Sequence, residues 1–318
     1  MGTLSPGAPN LRPGLTRFGV LGFACSLSLI TYLDRICIMT VSEAIRTDLH
    51  FAPLQVWWAT FSPLDQMGWV FSAFAVGYAL FEVPGGWMGD RWGARRVLMR
   101  IVLWWSVCTA LTGLIFPVPA WPVAAVGLMV LVRFFFGAGE AGAYPNLTRV
   151  VRVWFPGPER ARAQGAIWMC ARLGGAVAPS VIGLLADLLG WRPAFWVLGS
   201  IGVLWAFLFY LYYRDCPTDA QPRPQTAAPV EEKHEWPSLR VLAGSATIWA
   251  ICLASFCVSL GWYFYPTWQP EYLSEVYGIR YANSRILTGL PFLCGAAGSL
   301  LGGSVSDVLI RRTGSRRC

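Results

Sequence analysis

GGWMGDRWGARR, residues 85–96, closes one long apolar stretch, and GGSVSD, residues 302–307, closes another. Both share the pattern Gly-Gly-x-x-x-Asp, and an arginine pair follows each, Arg95–Arg96 and Arg316–Arg317. Between the copies lie six further apolar stretches and one hydrophilic break. That spacing is what a parallel repeat of two six-helix halves predicts.

Working outward, a membrane-crossing helix needs about 20 mostly apolar residues. Such stretches occur at 18–45, 68–88, 97–117, 121–145, 162–189, 193–213, 243–268 and 284–305. The composition agrees: 55% hydrophobic, 13% charged and a mean hydropathy of +0.49 are too apolar for an ordinary water-soluble domain. Eight membrane helices are therefore expected. Residues 1–213 form a six-helix unit, 214–242 a Pro-rich charged linker without periodicity, and 243–318 part of a second unit with two helices and a basic end. Four more helices follow the motif in the first unit and none in the second, so about four of twelve are expected to be missing.

The charges between spans set an expected orientation. Asp90, Arg91, Arg95, Arg96 and Arg100 follow the second span, and Arg149, Arg152, Glu159, Arg160 and Arg162 follow the fourth, so both loops are strongly basic. The loop after the first span, with Glu43, Arg46, Asp48 and Asp65, is acidic, and the loop after the third is uncharged. The positive-inside rule places the N-terminus in the cytoplasm and the chain in the cell's inner membrane. Arg12 and Arg17 precede the first span as in a secretory signal, but its apolar run is too long for one, so it reads as a retained helix. The net charge of +8 is explained by these short loops, and no nucleic-acid partner is expected.

Ionisable groups inside a bilayer are costly, at least about 2.5 kcal/mol each. Six fall within spans: Asp34 and Arg35 on the first, Glu82 on the second, Arg133 and Glu140 on the fourth, and Arg172 on the fifth. Arg133 and Glu140 stand about two turns apart and so share a face that must look inward. An anion competing for Arg35 would release Asp34 to take a proton, the physical outline of proton–anion symport. The alternative is that these groups pair across helices only to hold the bundle together. Three arginines and three acids are an expensive way to pack apolar helices. Around them lie Tyr32, Tyr78, Trp168, Tyr263 and Tyr265, with small residues that let helices approach closely. Tyr78 stands one turn from Glu82 and can donate a hydrogen bond; most tryptophans read as interfacial anchors or packing.

No enzyme signature is present. The two histidines, His50 and His234, fall in expected loops, and the sequence contains no GxSxG, HExxH or P-loop pattern. The nine cysteines lack metal-ligand or redox spacing and read as small packing residues. No cofactor or metal is expected; a proton gradient would be the driving force.

GGWMGDRWGARR resembles the cytoplasmic motif between helices two and three of the major facilitator superfamily. Finer matches point to its anion:cation symporter family: YLDR at 32–35, WVFSAFAVGYALFEVPGG at 69–86, RFFFGAGEAGAYP at 133–145, WFPGPERARAQG at 154–165, GWRPAFWVLG at 190–199 and TWQPEYL at 267–273. The resemblance implies an all-α major facilitator fold and a gate built from Gly86, Asp90, Arg91, Gly93, Arg95 and Arg96. In that gate Asp90 caps or pairs across the cytoplasmic face while the arginines contact the other half. By likeness to bacterial sugar-acid carriers, Asp34 and Glu140 would serve proton coupling, and Arg35, Arg133 and Tyr78 anion recognition. Tyr32, Tyr265 and, from its charge and helix position alone, Arg172 complete the expected cavity. The expected function is proton-coupled symport of a small organic anion, a hexonate or hexuronate first among them, by a monomer rocking between two openings. A sodium-coupled or facilitative carrier and a non-transporting remnant or interaction protein are the alternatives. One departure stands out: the loop HFAPLQVWWATFSPLDQ at 50–66 is long and aromatic for this family and reads as a lid or membrane-surface flap.

Overall fold

The computed structural model describes residues 16–56, 59–117, 122–214, 243–279 and 281–313. The linker from 215 to 242, Trp57, Trp58, His234, Arg316 and Arg317 lie outside these.

In lipid every backbone polar group must be satisfied within the protein, so apolar stretches of this length become helices. All eight expected spans do: α1 (Thr16–Thr40), α3 (Pro63–Trp92), α4 (Ala94–Thr112), α5 (Pro122–Glu140), α7 (Arg160–Leu189), α8 (Trp191–Tyr212), α9 (Ala246–Thr267) and α11 (Tyr281–Thr313). Shorter helices join them: α2 (Ser42–Asp48), α6 (Ala143–Trp154) and α10 (Gln269–Tyr277). Among the described residues, seven paths are long and apolar enough to cross a membrane by length and composition, with α5 and α6 counted as one. The eighth, α4, is less apolar because Arg95, Arg96 and Arg100 occupy its first two turns. The chain is a multi-pass membrane protein.

The expected boundaries shift throughout, the eighth span running on to Thr313, and four of the differences have a visible cause. The first span stops at Thr40, not 45, because the polar run Ser42, Glu43, Arg46, Thr47, Asp48 forms the separate helix α2. The motif at 85–96 is not an open loop: it occupies the last turns of α3 and the first of α4, with only Gly93 (φ 85°) between them. The fourth span breaks at Gly142, which adopts the left-handed conformation (φ 85°). A Cβ there would lie 2.7 Å from the Gly85 backbone of α3, so glycine serves both the turn and the close approach. The aromatic loop at 50–66 contains a hairpin, β1 (Leu54–Val56) antiparallel to β2 (Ala59–Phe61), and α3 starts immediately beyond it.

The start of α3 is capped from both sides. The Ser62 hydroxyl accepts from the Asp65 backbone N–H at 3.2 Å, and the Asp65 carboxylate accepts from the Ser62 backbone N–H at 2.8 Å. Gln66 ties the hairpin down by donating to the Ala52 carbonyl at 2.7 Å. Replacing Ser62 by alanine is expected to lower stability by about 1 kcal/mol. Thermal unfolding followed by circular dichroism in detergent reads this, and an unchanged midpoint would show that the cap contributes nothing.

Glycine lets α3 and α5 pack backbone to backbone. A Cβ on Gly77 would lie 2.2 Å from the Phe134 carbonyl oxygen, and one on Gly137 would lie 2.2 Å from the Phe74 carbonyl oxygen. The crossing is thus reciprocal. Helix α11 lies along α7, with Phe292 fully buried against Gly175.

Buried apolar residues form two clusters. One gathers Val20, Val97, Phe155 and Phe209 with Tyr32, Phe74, Phe136 and Tyr144; the other gathers Ile45, Phe51, Ile115 and Trp191 with Cys37, Met67 and Met129. Asp34 and Arg133 sit where the two meet, since Tyr32 and Phe136 belong to the first and Cys37 and Met129 to the second. The outer faces carry large apolar side chains, Leu188 at 71% exposed being the extreme on α7, as lipid contact requires.

Candidate functional site: a charged layer beside an aromatic cavity

Helix α1 supplies Asp34 and Arg35 on adjacent faces, and α5 supplies Arg133 and Glu140. The expectation that Arg133 and Glu140 share an inward face is met: they are 3% and 0% exposed, and Asp34 is 2% exposed. Arg35 donates from Nε to Glu140 Oε1 at 2.6 Å, a charge-assisted contact between α1 and α5. The second Glu140 oxygen, both Asp34 oxygens, one Arg35 terminal nitrogen and Arg133 Nε are buried with no hydrogen-bond partner. Arg133 and Asp34 interact across this layer at longer range without forming a direct ion pair. Buried polar groups usually have partners, so this concentration of unused donors and acceptors sets the layer apart from the rest of the bundle.

Four aromatic rings surround Arg35. Its guanidinium carbon lies 4.6 Å from the Tyr78 ring centre, 5.2 Å from Phe74, 5.4 Å from Tyr32 and 5.9 Å from Tyr144. Tyr144 is itself stacked on Trp168 at 4.5 Å, and Arg133 lies over Phe136 at 4.8 Å. Arg172, on α7, lies over the Trp262 ring of α9 at 3.3 Å and stands 6.0 Å from Tyr32. Glu82 is half-buried one turn beyond Tyr78 and interacts electrostatically with Arg35.

A cavity of about 160 Å³ opens beside these groups, lined by Tyr32, Arg35, Phe74, Ser259, Trp262 and Tyr263 among others. Larger concavities lie elsewhere. One of about 940 Å³ is an apolar groove between α4 and α5 lined by Leu103, Trp104, Leu128 and Phe135, with Arg100 donating to the Met88 sulfur at 3.1 Å, and its large exposed apolar side chains belong to the lipid-facing surface. Another, about 830 Å³, is a polar crevice at the hairpin end of the bundle, where Arg46 and Glu271 approach to 3.7 Å and Arg192 pairs with Asp48.

The structure therefore gathers Tyr32, Asp34, Arg35, Tyr78, Arg133, Glu140 and Arg172. Tyr265 does not join them: it is 39% exposed and its ring packs beside Trp262 and Phe264, while its neighbour Tyr263 lines the cavity. Phe74, Tyr144 and Trp262 were not foreseen. Phe74 stands one turn before Tyr78, so helical spacing alone could have found it, whereas Tyr144 lies beyond the break at Gly142. Trp262 carries no such signal among so many tryptophans.

Among the described residues of the gate motif, Asp90 pairs with Arg149 of α6, the Arg95 guanidinium donates to the Tyr210 carbonyl of α8 and covers its ring, and Arg91 lies over Trp87. These partners belong to the first six-helix unit. Arg96 is exposed.

Comparison with known proteins identifies the family, because the model described as Major Facilitator Superfamily matches residues 24–318. The chain belongs to the Major Facilitator Superfamily. Its members are membrane transporters, not enzymes, as the absence of catalytic motifs implied. Among curated superfamily members, a probable sulfoacetate transporter of Cupriavidus necator is 35% identical over 95% of this chain and 67% of its own length. A D-galactonate transporter of Escherichia coli is 30% identical over 95% of this chain and 69% of its own, and a hexuronate transporter of Bacillus subtilis 28% identical over 92% and 65%. The chain spans about two thirds of the length of these superfamily relatives. Among solved superfamily structures, a bacterial homologue of the human lysosomal transporter Spinster, inward-facing and unoccupied, matches with a TM-score of 0.67. That match has 22% identity and covers 96% of this chain and 64% of the other; it shows the shared fold.

Proposed function

We propose that this chain carries a small organic anion across the inner membrane together with protons, by alternating access, with its N-terminus in the cytoplasm. The observation that supports this most is the buried Arg35–Glu140 pair, beside which Asp34 and Arg133 keep unused hydrogen-bonding atoms. An anion arriving at Arg35 competes with Glu140 for the same guanidinium. The displaced carboxylate, shut away from water and from its cation, is stable there only with a proton on it. Binding of the anion and uptake of a proton are thereby linked. Asp34 offers a second carboxyl for the same purpose, facing Arg133. Tyr32 and Tyr78 hold the Arg35 guanidinium between their rings and leave an edge free for the substrate.

The relatives named for sugar acids and for sulfoacetate all carry small organic anions in their names, which favours this substrate class over cations or neutral solutes. Sugar acids of the hexonate and hexuronate type are the first candidates, and short sulfonates the second. Alternating access fits a site at the meeting of the two apolar clusters, where the charged layer joins the second half of α1 to the second half of α5.

The test is uptake of labelled galactonate, glucuronate and sulfoacetate into proteoliposomes holding the full gene product, with an acidic exterior and no sodium. Accumulation above the external concentration that a protonophore abolishes is the expected result. Accumulation only when sodium is present would replace the coupling ion, and no uptake of any anion under either gradient would overturn the reading.

A further inference from the structure

We infer that the transported anion carries two charged groups, one at each end, and that Arg172 holds the second. This rests on the anion reading above and narrows it.

The three inward arginines are not equivalent. Arg35 is bonded to Glu140 and lies near Glu82, and Arg133 interacts with Asp34 and Glu140. Arg172 pairs with no carboxylate among the described residues, and its Nε and one terminal nitrogen are buried without any hydrogen-bond partner. Elsewhere the half-buried arginines Arg17, Arg46 and Arg192 each meet an acid. A guanidinium kept within a membrane bundle with an unused donor edge needs an acceptor that the protein itself does not provide.

Its position says where that acceptor would lie. Arg172 stands between α1, α9 and α11: Tyr32 is 6.0 Å from its guanidinium, the Trp262 ring centre is 3.3 Å from it, and Gly295 of α11 leaves room against its stem. With the guanidinium held against a ring, Nε and one terminal nitrogen remain able to donate, and arginine binds carboxylate or sulfonate through such donors. Arg35 faces the same Tyr32 ring from 5.4 Å and also keeps one terminal nitrogen unpartnered. Tyr32, Arg35 and Trp262 line one cavity. Arg172 does not line that cavity itself but stands against two of its walls, Tyr32 and Trp262, so a molecule that bonds Arg35 and extends past these rings meets a second guanidinium. A monoanion can satisfy one of them; an anion with charges at both ends satisfies both.

Because Arg172 sits on α7 and its stacking partner on α9, the second charge would also draw the two helical units together as the site fills. Arg172 acts here as a specificity-determining residue of the binding site.

The experiment uses matched pairs of ligands, binding being measured by calorimetry on the purified full gene product. Galactarate and galactonate differ in having two or one carboxylates on the same six-carbon chain; sulfoacetate and 2-hydroxyethanesulfonate differ likewise on two carbons. At least one dianion is expected to bind about tenfold or more tightly than its partner. Arg172→Gln is expected to weaken the dianion about tenfold more than its monoanion partner, and Arg172→Lys to restore part of that difference. A structural role alone would weaken both members of a pair together. Equal affinity for mono- and dianions in the unaltered protein, or equal weakening of both by Arg172→Gln, overturns the inference and leaves the organic-anion reading standing. Binding of none of the four anions overturns both.

Discussion

Glu140→Gln binds substrate but no longer accumulates it. The substituted side chain keeps an oxygen that can accept from Arg35 Nε, so the contact now 2.6 Å long survives in neutral form and α1 stays joined to α5. What disappears is a group able to carry a proton across the cycle. Exchange of labelled for unlabelled anion across the membrane is therefore expected to persist, whereas concentration of the anion by a pH gradient falls to the equilibrium level. Arg35→Ala is the harsher change. It strands a fully buried carboxylate, which costs several kcal/mol when a partner of such a pair is removed, and it deletes the primary anion contact. Uptake and exchange should both vanish. The two assays on the two variants separate coupling from binding, and retained gradient-driven accumulation in Glu140→Gln would end the assignment of that residue to proton transfer.

Gly137→Val is expected to unfold the bundle at its tightest crossing. The nearest obstacle to a Cβ is the Phe74 carbonyl oxygen at 2.2 Å, with the Tyr78 amide nitrogen 3.0 Å away, so backbone, not a yielding side chain, stands in the way. Helices α3 and α5 would have to separate, and with them the Tyr78 and Glu140 side chains that both meet Arg35. Overpacking of this kind costs roughly 3 kcal/mol or more, which corresponds to a fall in midpoint of about 10 °C. Gly127→Ala is the control, since nothing lies within 4 Å of a Cβ there. Fluorescence-detected gel filtration after a temperature series compares them, and matching curves would mean that the crossing is looser than described.

Much of this architecture could be read in advance, and the reason is the solvent. In lipid the backbone must close its own hydrogen bonds, so length and apolarity alone locate helices, and all eight appeared. Their ends were less legible because breaks depend on tertiary partners. Gly142 interrupts its span where the Gly85 backbone presses against it, a contact between residues far apart in the chain. The charged layer was legible for the same energetic reason: Asp34, Arg35, Arg133, Glu140 and Arg172 each stood out as misfits in apolar stretches. Aromatic neighbours carry no such penalty. Tyr265 and Tyr263 differ only by helical phase, and the helix that bears them is apolar on every side, so periodicity could not say which one turns inward. Asp90 finding Arg149 within its own unit was also beyond reach, since a motif fixes residue types and not which neighbour is nearer.

Helix α9 buries no residue, and Trp249, Ile251, Leu253, Phe256, Val258 and Leu260 are all exposed. Its helical state among the described residues therefore rests on backbone hydrogen bonds more than on side-chain burial. Inserted singly, it would be a complete object: the translocon can release it into lipid before the next segment has arrived, and its assembly with the earlier helices begins from a rod already formed. The chain's folding problem at this point is not how to make structure but how two finished pieces find each other in a plane, and the handle they have is Trp262 reaching for Arg172.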